Sequence, residues 1–223
     1  LAYISLSGKV NDMVSQLGGM SLGRPYSGGT YSVSENGRYA YTFGSVHNPS
    51  DLAVGYKKNF KRLTYLNKDL FDHKQLGDVE EVWFKSSFDD RLIQGWLVKP
   101  PNFDSSKKYP LILEIHGGPF SNYGFRFSAE VQLFASEGYV VLYTNPRGST
   151  SYGKEFANLI HHNYPNQDYD DLMSGVDHIL KRPYIDKDNL FVTGGSGGGV
   201  LTAWIIGKTD RFKAAVVAKP VIN

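Results

Sequence analysis

Residues 190–199 read "LFVTGGSGGG". The apolar run Leu190-Phe191-Val192 predicts a strand, and "GGVLTAWIIGK" (198–208) predicts a helix. Between them, Gly194-Gly195-Ser196-Gly197-Gly198 fits the pattern G-x-S-x-G, in the strand–turn–helix setting that motif requires. Such a turn is sharp and strained, and it lifts the serine hydroxyl clear of the sheet. The residues two before and two after the serine are then pressed against neighbouring backbone, and glycine at both places removes the clash. The helix N-terminus beyond favours developing negative charge. Ser196 is therefore the candidate nucleophile, set against a flexible turn with no chemistry.

Two other glycine motifs fail on spacing. A phosphate loop ending at Gly207-Lys208-Thr209 needs its first glycine at 202, which is Thr202. A dinucleotide loop starting at Gly195 needs its last glycine at 200, which is Val200.

A second motif, His116-Gly117-Gly118-Pro119, follows the strand-like "LILEI". Acyl transfer needs hydrogen-bond donors aimed at the oxyanion that forms on the attacked carbonyl. In hydrolases of this layout one donor is the N–H after the nucleophile, here Gly197, and the other comes from the loop after the third strand. Gly118 is the expected second donor, because glycine lets backbone approach substrate closely. His116 is expected to shape that loop, not to act as general base, since a base beside the oxyanion hole would lie on the wrong side of the serine.

Working outward, two regimes divide the chain. Residues 1–66 hold short strand-like runs with turn signals, including an Asn36-Gly37 hairpin signal, and suit a propeller blade or a sandwich. "DLAVGYK" and "KRLTYLN" are the last two of these runs. In residues 67–223, "VEEVWFKSS" and "RLIQGWLVKP" predict a hairpin around Asp89-Asp90. The runs "YPLILEIHGGP", "GYVVLYTNPRG", "LFVTGGS" and "FKAAVVAKP" suit parallel strands buried on both faces. Helices are predicted in "SAEVQLFASEG", "YDDLMSGVDHIL" and "GGVLTAWIIGK". This alternation argues for an α/β fold with a mostly parallel sheet.

Composition narrows the partners. Lys and Arg total 24 against 22 Asp and Glu, with signs interspersed, so no basic stripe invites nucleic acid. No apolar run reaches the roughly 18 residues that would span a membrane. Cysteine is absent, which excludes disulfides and thiolate metal sites. His161-His162 near Asp168, Asp170 and Asp171 does not read as a metal site: adjacent histidines rarely converge on one ion, and acids near a helix start suit its dipole. No cofactor is expected. Arg147 is expected in a structural ion pair, Trp204 in the core, and Asp210 at the surface. The cytoplasm is favoured over the periplasm, and a homo-oligomer is left open.

All six histidines lie before Ser196: His47, His73, His116, His161, His162 and His178. Hydrolases of this layout order their triad as Ser, then Asp or Glu, then His. The expectation is a chain that is part of something longer. Two further strand–helix units, roughly 60 residues at about 30 per unit, would carry the acid and base. Alone, the chain is expected to be almost inactive and poorly stable.

With these motifs placed, the chain resembles the prolyl oligopeptidase family of serine peptidases, in the branch of acylaminoacyl peptidases and dipeptidyl aminopeptidases. The resemblance is carried by "KYPLILEIHGGP", "NPRGSTSYG", "DYDDLMSGVDHIL", "IDKDNLFVTGGSGGG" and "DRFKAAVVAKPVIN", in order, with "RLTYLNKDL" like the segment leaving a propeller. It implies an α/β-hydrolase domain in residues 67–223, preceded in residues 1–66 by the last strands of a β-propeller. It also implies a peptidase acting on short peptides, with Ser196 as nucleophile and Gly197 and Gly118 as oxyanion donors. The family commonly has tyrosine where Gly197 and Gly199 stand, so an aromatic wall of the substrate pocket is expected to be missing. A carboxylesterase on the same fold and a non-catalytic binding protein are the alternatives.

Overall fold

A computed structural model describes residues 1–19 and 21–222. Contacts divide the chain into two units, residues 1–75 with 124–130, and residues 76–123 with 131–223.

In the first unit, β1 (Ala2–Ile4) and β2 (Val10–Asp12) form an antiparallel ribbon. Four strands then make an antiparallel meander in sequence order: β3 (Tyr31–Val33), β4 (Arg38–Ser45), β5 (Asn48–Tyr56) and β6 (Asn59–Arg62). The β3–β4 turn is the predicted Asn-Gly hairpin, with Gly37 at φ +77°. The run expected over 61–67 is shorter and earlier, because Leu63 onward leaves the ladder toward α1 (Lys68–Phe71). Burial is thin: Val14, Tyr39, Tyr41 and Ala53 form the small core. A polar clamp supplements it. The buried Asp51 carboxylate accepts from Arg62, from Thr64 Oγ1 at 2.7 Å and from Leu66 N at 3.0 Å. The Arg62 guanidinium lies over the Tyr65 ring, 4.2 Å from its centroid.

The second unit is built on six strands: β7 (Val79–Lys85), β8 (Leu92–Val98), β9 (Tyr109–Ile115), β10 (Val140–Asn145), β11 (Ile185–Gly195) and β12 (Ala214–Ala218). Their order is β12-β11-β9-β10-β8-β7. The hairpin β7–β8 and the pair β8–β10 are antiparallel, and the remaining pairs are parallel. This is the α/β arrangement expected from the alternating runs. Four helices accompany the sheet: α2 (Ala129–Ser136), whose first residues fall in the 124–130 segment, α3 (Gly153–Asn158), α4 (Asp168–Ile179) and α5 (Gly197–Ile206). The helix α3 has no counterpart among the predicted elements, since its six residues are too few to show a period.

Leu113, Ile115, Leu142 and Val192 from the sheet pack with Leu172, Val176 and Ile179 of α4 and Leu201 and Ile205 of α5. Leu172, Val176 and Ile179 thus form the apolar buried face of the helix predicted in "YDDLMSGVDHIL". Trp204 departs from expectation. It is 37% exposed, because Leu201 and Ile205 take the core face of α5, and Lys208 lies 4.7 Å from its ring centroid. Asp210 is at the surface, as expected.

Arg147 does form the expected ion pair. Its Nε donates to Asp171 Oδ2 at 2.9 Å and its Nη2 to Asp171 Oδ1 at 2.7 Å, a two-pronged contact with both side chains buried. Nη2 also reaches Asp89 Oδ1 at 3.0 Å and Ser86 Oγ at 3.1 Å, and the Arg147 backbone N donates to Asp171 Oδ2 at 2.8 Å. One residue thus ties the end of β10 to α4 and to the β7–β8 turn. Asp168, at the start of α4, is also buried. Its Oδ1 accepts from Asn166 N at 2.7 Å and Tyr169 N at 3.0 Å. Burial, with the Asp171 charge adding to it, pushes the Asp168 carboxyl up to about 6 against those two amides.

Removing one partner of the buried pair is the severe change. Arg147→Met is expected to cost about 3–5 kcal/mol in urea denaturation, and the double change with Asp171→Leu to recover much of that loss. Asp168 gives a pH signature. Its folded-state pKa lies above the unfolded value, so its contribution makes stability fall as pH rises from about 4 to about 6. Asp168→Asn is expected to remove that slope and stabilise the fold at pH 7 by up to about 3 kcal/mol, read by thermal melts across that range.

Candidate active site

β11 ends at Gly195 and α5 begins at Gly197, leaving Ser196 alone in the turn. Ser196 has φ 57° and ψ −118°, a left-handed conformation that costs a non-glycine residue of order 1–3 kcal/mol. The residue is exposed. Its backbone is held at both sides: Ser196 N donates to Ala218 O at 3.0 Å, and Ser196 O accepts from Val200 N at 3.0 Å.

The flanking glycines show what forces the turn. A Cβ on Gly194 would lie 2.4 Å from Gly198 O, and one on Gly198 would lie 2.1 Å from Ile115 O. These are the positions two before and two after the serine, and both are closed to any side chain. Gly199 is closed as well, its Cβ position being 2.6 Å from Ala218 O. Gly197 is tight rather than closed, with its Cβ position 3.1 Å from Gly118 N and Gly118 C. A tyrosine at either 197 or 199 would therefore require the neighbouring backbone to move, most severely at 199. The three glycines weaken the first turn of α5 by about 1 kcal/mol each relative to alanine.

The same contact brings the two candidate oxyanion donors together, since Gly118 backbone lies directly against Gly197. Gly118 is at φ +135°, and a Cβ there would lie 2.7 Å from Phe120 N, so only glycine fits that turn. Among the described residues, neither Gly118 N nor Gly197 N has a hydrogen-bond acceptor.

His116 is buried between Gly117 O, 2.7 Å from its Nδ1, and Ser149 Oγ, 2.9 Å from its Nε2. Burial pushes its pKa down to about 4, so the ring is neutral at neutral pH. Its partners make it a strut of the loop, as expected. The other side of this brace was not foreseen. Asn145, at the end of β10, accepts from Tyr123 N at 2.8 Å and donates to Tyr123 O at 2.9 Å. Thr150 N donates to Ser121 O at 2.9 Å. The segment after β10 thus holds the glycine loop after β9 at both ends. Small polar residues beside Pro146 and Gly148 are the only trace of this in the sequence.

His161 and His162 are exposed, with ring centroids 4.0 Å apart. His178 stacks on Phe84 at 5.8 Å, and His47 and His73 belong to the first unit. Among the described residues no histidine hydrogen-bonds to Ser196. The geometry therefore brings Ser196, Gly197 and Gly118 together and supplies no base to them.

Residues 125–223 fit the sequence model of the prolyl oligopeptidase family. A Bacillus subtilis (strain 168) relative, the uncharacterized peptidase YuxL, is 43% identical over 78% of this chain and 27% of its own length. A dipeptidyl-peptidase 5 of Aspergillus fumigatus is 37% identical over 70% of this chain and 22% of its own length. Among solved structures, a Pyrococcus horikoshii acylaminoacyl peptidase superposes with TM-score 0.80 at 29% identity, over 93% of this chain and 32% of that one. The chain spans about a quarter of the curated relatives it matches. The family match over residues 125–223 takes in most of the second unit's later elements, with β11, the serine turn and α5 among them.

Proposed function

We propose that this chain is the nucleophile-bearing part of a serine peptidase that hydrolyses short peptides. The observation that carries the reading is the strained Ser196, presented on a strand-to-helix turn beside two unengaged backbone amides. In this mechanism the Ser196 hydroxyl attacks the substrate carbonyl, and the N–H groups of Gly197 and Gly118 receive the charge on its oxygen. The amine leaves carrying the proton relayed from Ser196, water then attacks the acyl-serine and returns a proton to the Ser196 oxygen, and the acid is released. The proton accepted from Ser196 goes to a base that this sequence does not contain, since no histidine follows the serine. We assign that base and its acid partner to the rest of a longer protein.

Residues 67–223 are proposed as the first part of the hydrolase domain and residues 1–66 as the last blade of a propeller. The four-stranded meander supports the latter. The peptide substrate class is supported by relatives named dipeptidyl-peptidase 5 and acylaminoacyl peptidase. No helix among the described residues is long and apolar enough to cross a membrane.

The first test is intact mass of the complete gene product before and after a fluorophosphonate probe. One adduct on Ser196, absent in Ser196→Ala, is the expected result, with kcat lowered at least about 10⁴-fold in that variant. No adduct on the complete product would sink the nucleophile assignment. Peptide p-nitroanilides and short acyl esters then separate the substrate classes. Anilide turnover is expected, and ester turnover alone would make the protein an esterase.

A further inference from the structure

The first turn of α5 has a weakness that the elbow does not cure. Residues 197–199 are all glycine, and the helix has no side-chain cap at its N-terminus. Gly198 and Gly199 are wedged against carbonyls of the sheet, whereas Gly197 has only the glycine loop beside it. Something else must set the orientation of its peptide groups. That group comes from the connection between α3 and α4: the Tyr164 hydroxyl donates to Gly197 O at 2.7 Å.

We propose that Tyr164 is a positioning residue for the oxyanion-binding turn, acting through the Gly197 carbonyl. The inference rests on the serine hydrolase reading above. A carbonyl has two lone pairs, so Gly197 O accepts from Tyr164 in addition to its place in the helix. Holding that carbonyl fixes the peptide plane between Gly197 and Gly198; the Gly197 N–H belongs to the preceding plane, across the Gly197 Cα, so the hold narrows the φ/ψ range through which that N–H can swing. A preorganised donor stabilises developing charge only where its direction is set beforehand.

Three observations make Tyr164 suited to this. Its ring packs against the core of the second unit, so the hydroxyl is delivered from a fixed body. Its connection is itself laced. Asn163 Nδ2 donates to Gln167 Oε1 at 2.7 Å, and Asn166 N to Asp168 Oδ1 at 2.7 Å. Burial, and then the Asp168 charge, raise the hydroxyl's pKa, so it stays a donor across the working pH range. Tyr164 does not touch the reacting atoms, and its effect passes entirely through Gly197.

The test is Tyr164→Phe in the complete gene product, which keeps the ring and removes the donor alone. Three readouts are compared with wild type: the melting temperature, hydrogen exchange over residues 194–201, and the kinetics on a p-nitroanilide together with the rate of fluorophosphonate labelling. The expected result is a near-unchanged melt, faster exchange in 194–201, kcat about tenfold lower with KM within about twofold, and labelling slowed in parallel. Unchanged exchange overturns the proposal, because the hydroxyl then does not hold the turn. Faster exchange with unchanged kcat also overturns it, leaving the hydroxyl a structural contact. A fall in kcat/KM carried by KM alone does the same. A wild-type protein that the probe does not label brings down the hydrolase reading and this inference with it. A labelled wild type with an indifferent variant brings down only the inference.

Discussion

Three backbone segments meet at the end of the parallel sheet with no side chain between them, and the arrangement of the second unit follows from that contact. Gly198 lies against the carbonyls of Ile115 and His116, Gly194 against Gly198, and Gly199 against Ala218. The register of β9, β11 and β12 sets Ile115 beside Gly194 and Ala218 beside Gly195, so the strand ends arrive together. A single methyl group at 194, 198 or 199 would force them apart. In return, the crossing leaves Ser196 nowhere to go but the left-handed turn, with its amide already bound to Ala218 O. The strain at Ser196 is thus imposed by the packing around it.

Around that contact the fold places polar braces where apolar packing cannot reach. Arg147 joins β10, α4 and the β7–β8 turn through Asp171, Asp89 and Ser86. Two residues before it, Asn145 fixes the glycine loop through Tyr123, and two residues after it Ser149 fixes His116. One short segment, 145–149, therefore sets both the helix layer and the loop carrying Gly118. Charged and amide groups suit this task because their hydrogen bonds are directional, whereas the apolar contacts of the sheet leave loop orientation free.

Much of this was legible along the chain. The hairpin β7–β8, the parallel runs and the helices α2, α4 and α5 were all marked by period or by continuous apolar character. The serine turn was marked by its glycines, and Arg147 fell into the ion pair that its chemistry suggested. The failures lie where no local pattern decides the outcome. Trp204 reads as core because it is large and apolar, yet its angle on α5 turns it outward and leaves Leu201 and Ile205 to face the sheet. The helix α3 is shorter than two turns and has no pattern to read. Asn145 ends a strand and Ser149 and Tyr164 lie in loops, all ordinary residues whose partners lie tens of residues away.

By itself the sequence determined the strand–turn–helix unit, the glycines two before and two after Ser196, and Ser196 as the candidate nucleophile, because each depends on residues within a few positions of one another. Within these 223 residues it also places all six histidines before the serine. Tertiary structure alone decided that Gly118 comes to rest against Gly197, that Asn145 and Ser149 brace that loop, and that Tyr164 reaches the Gly197 carbonyl. These depend on the order of strands in the sheet and on how segments far apart in the chain are brought to one edge, and such distances leave no period or spacing in the sequence.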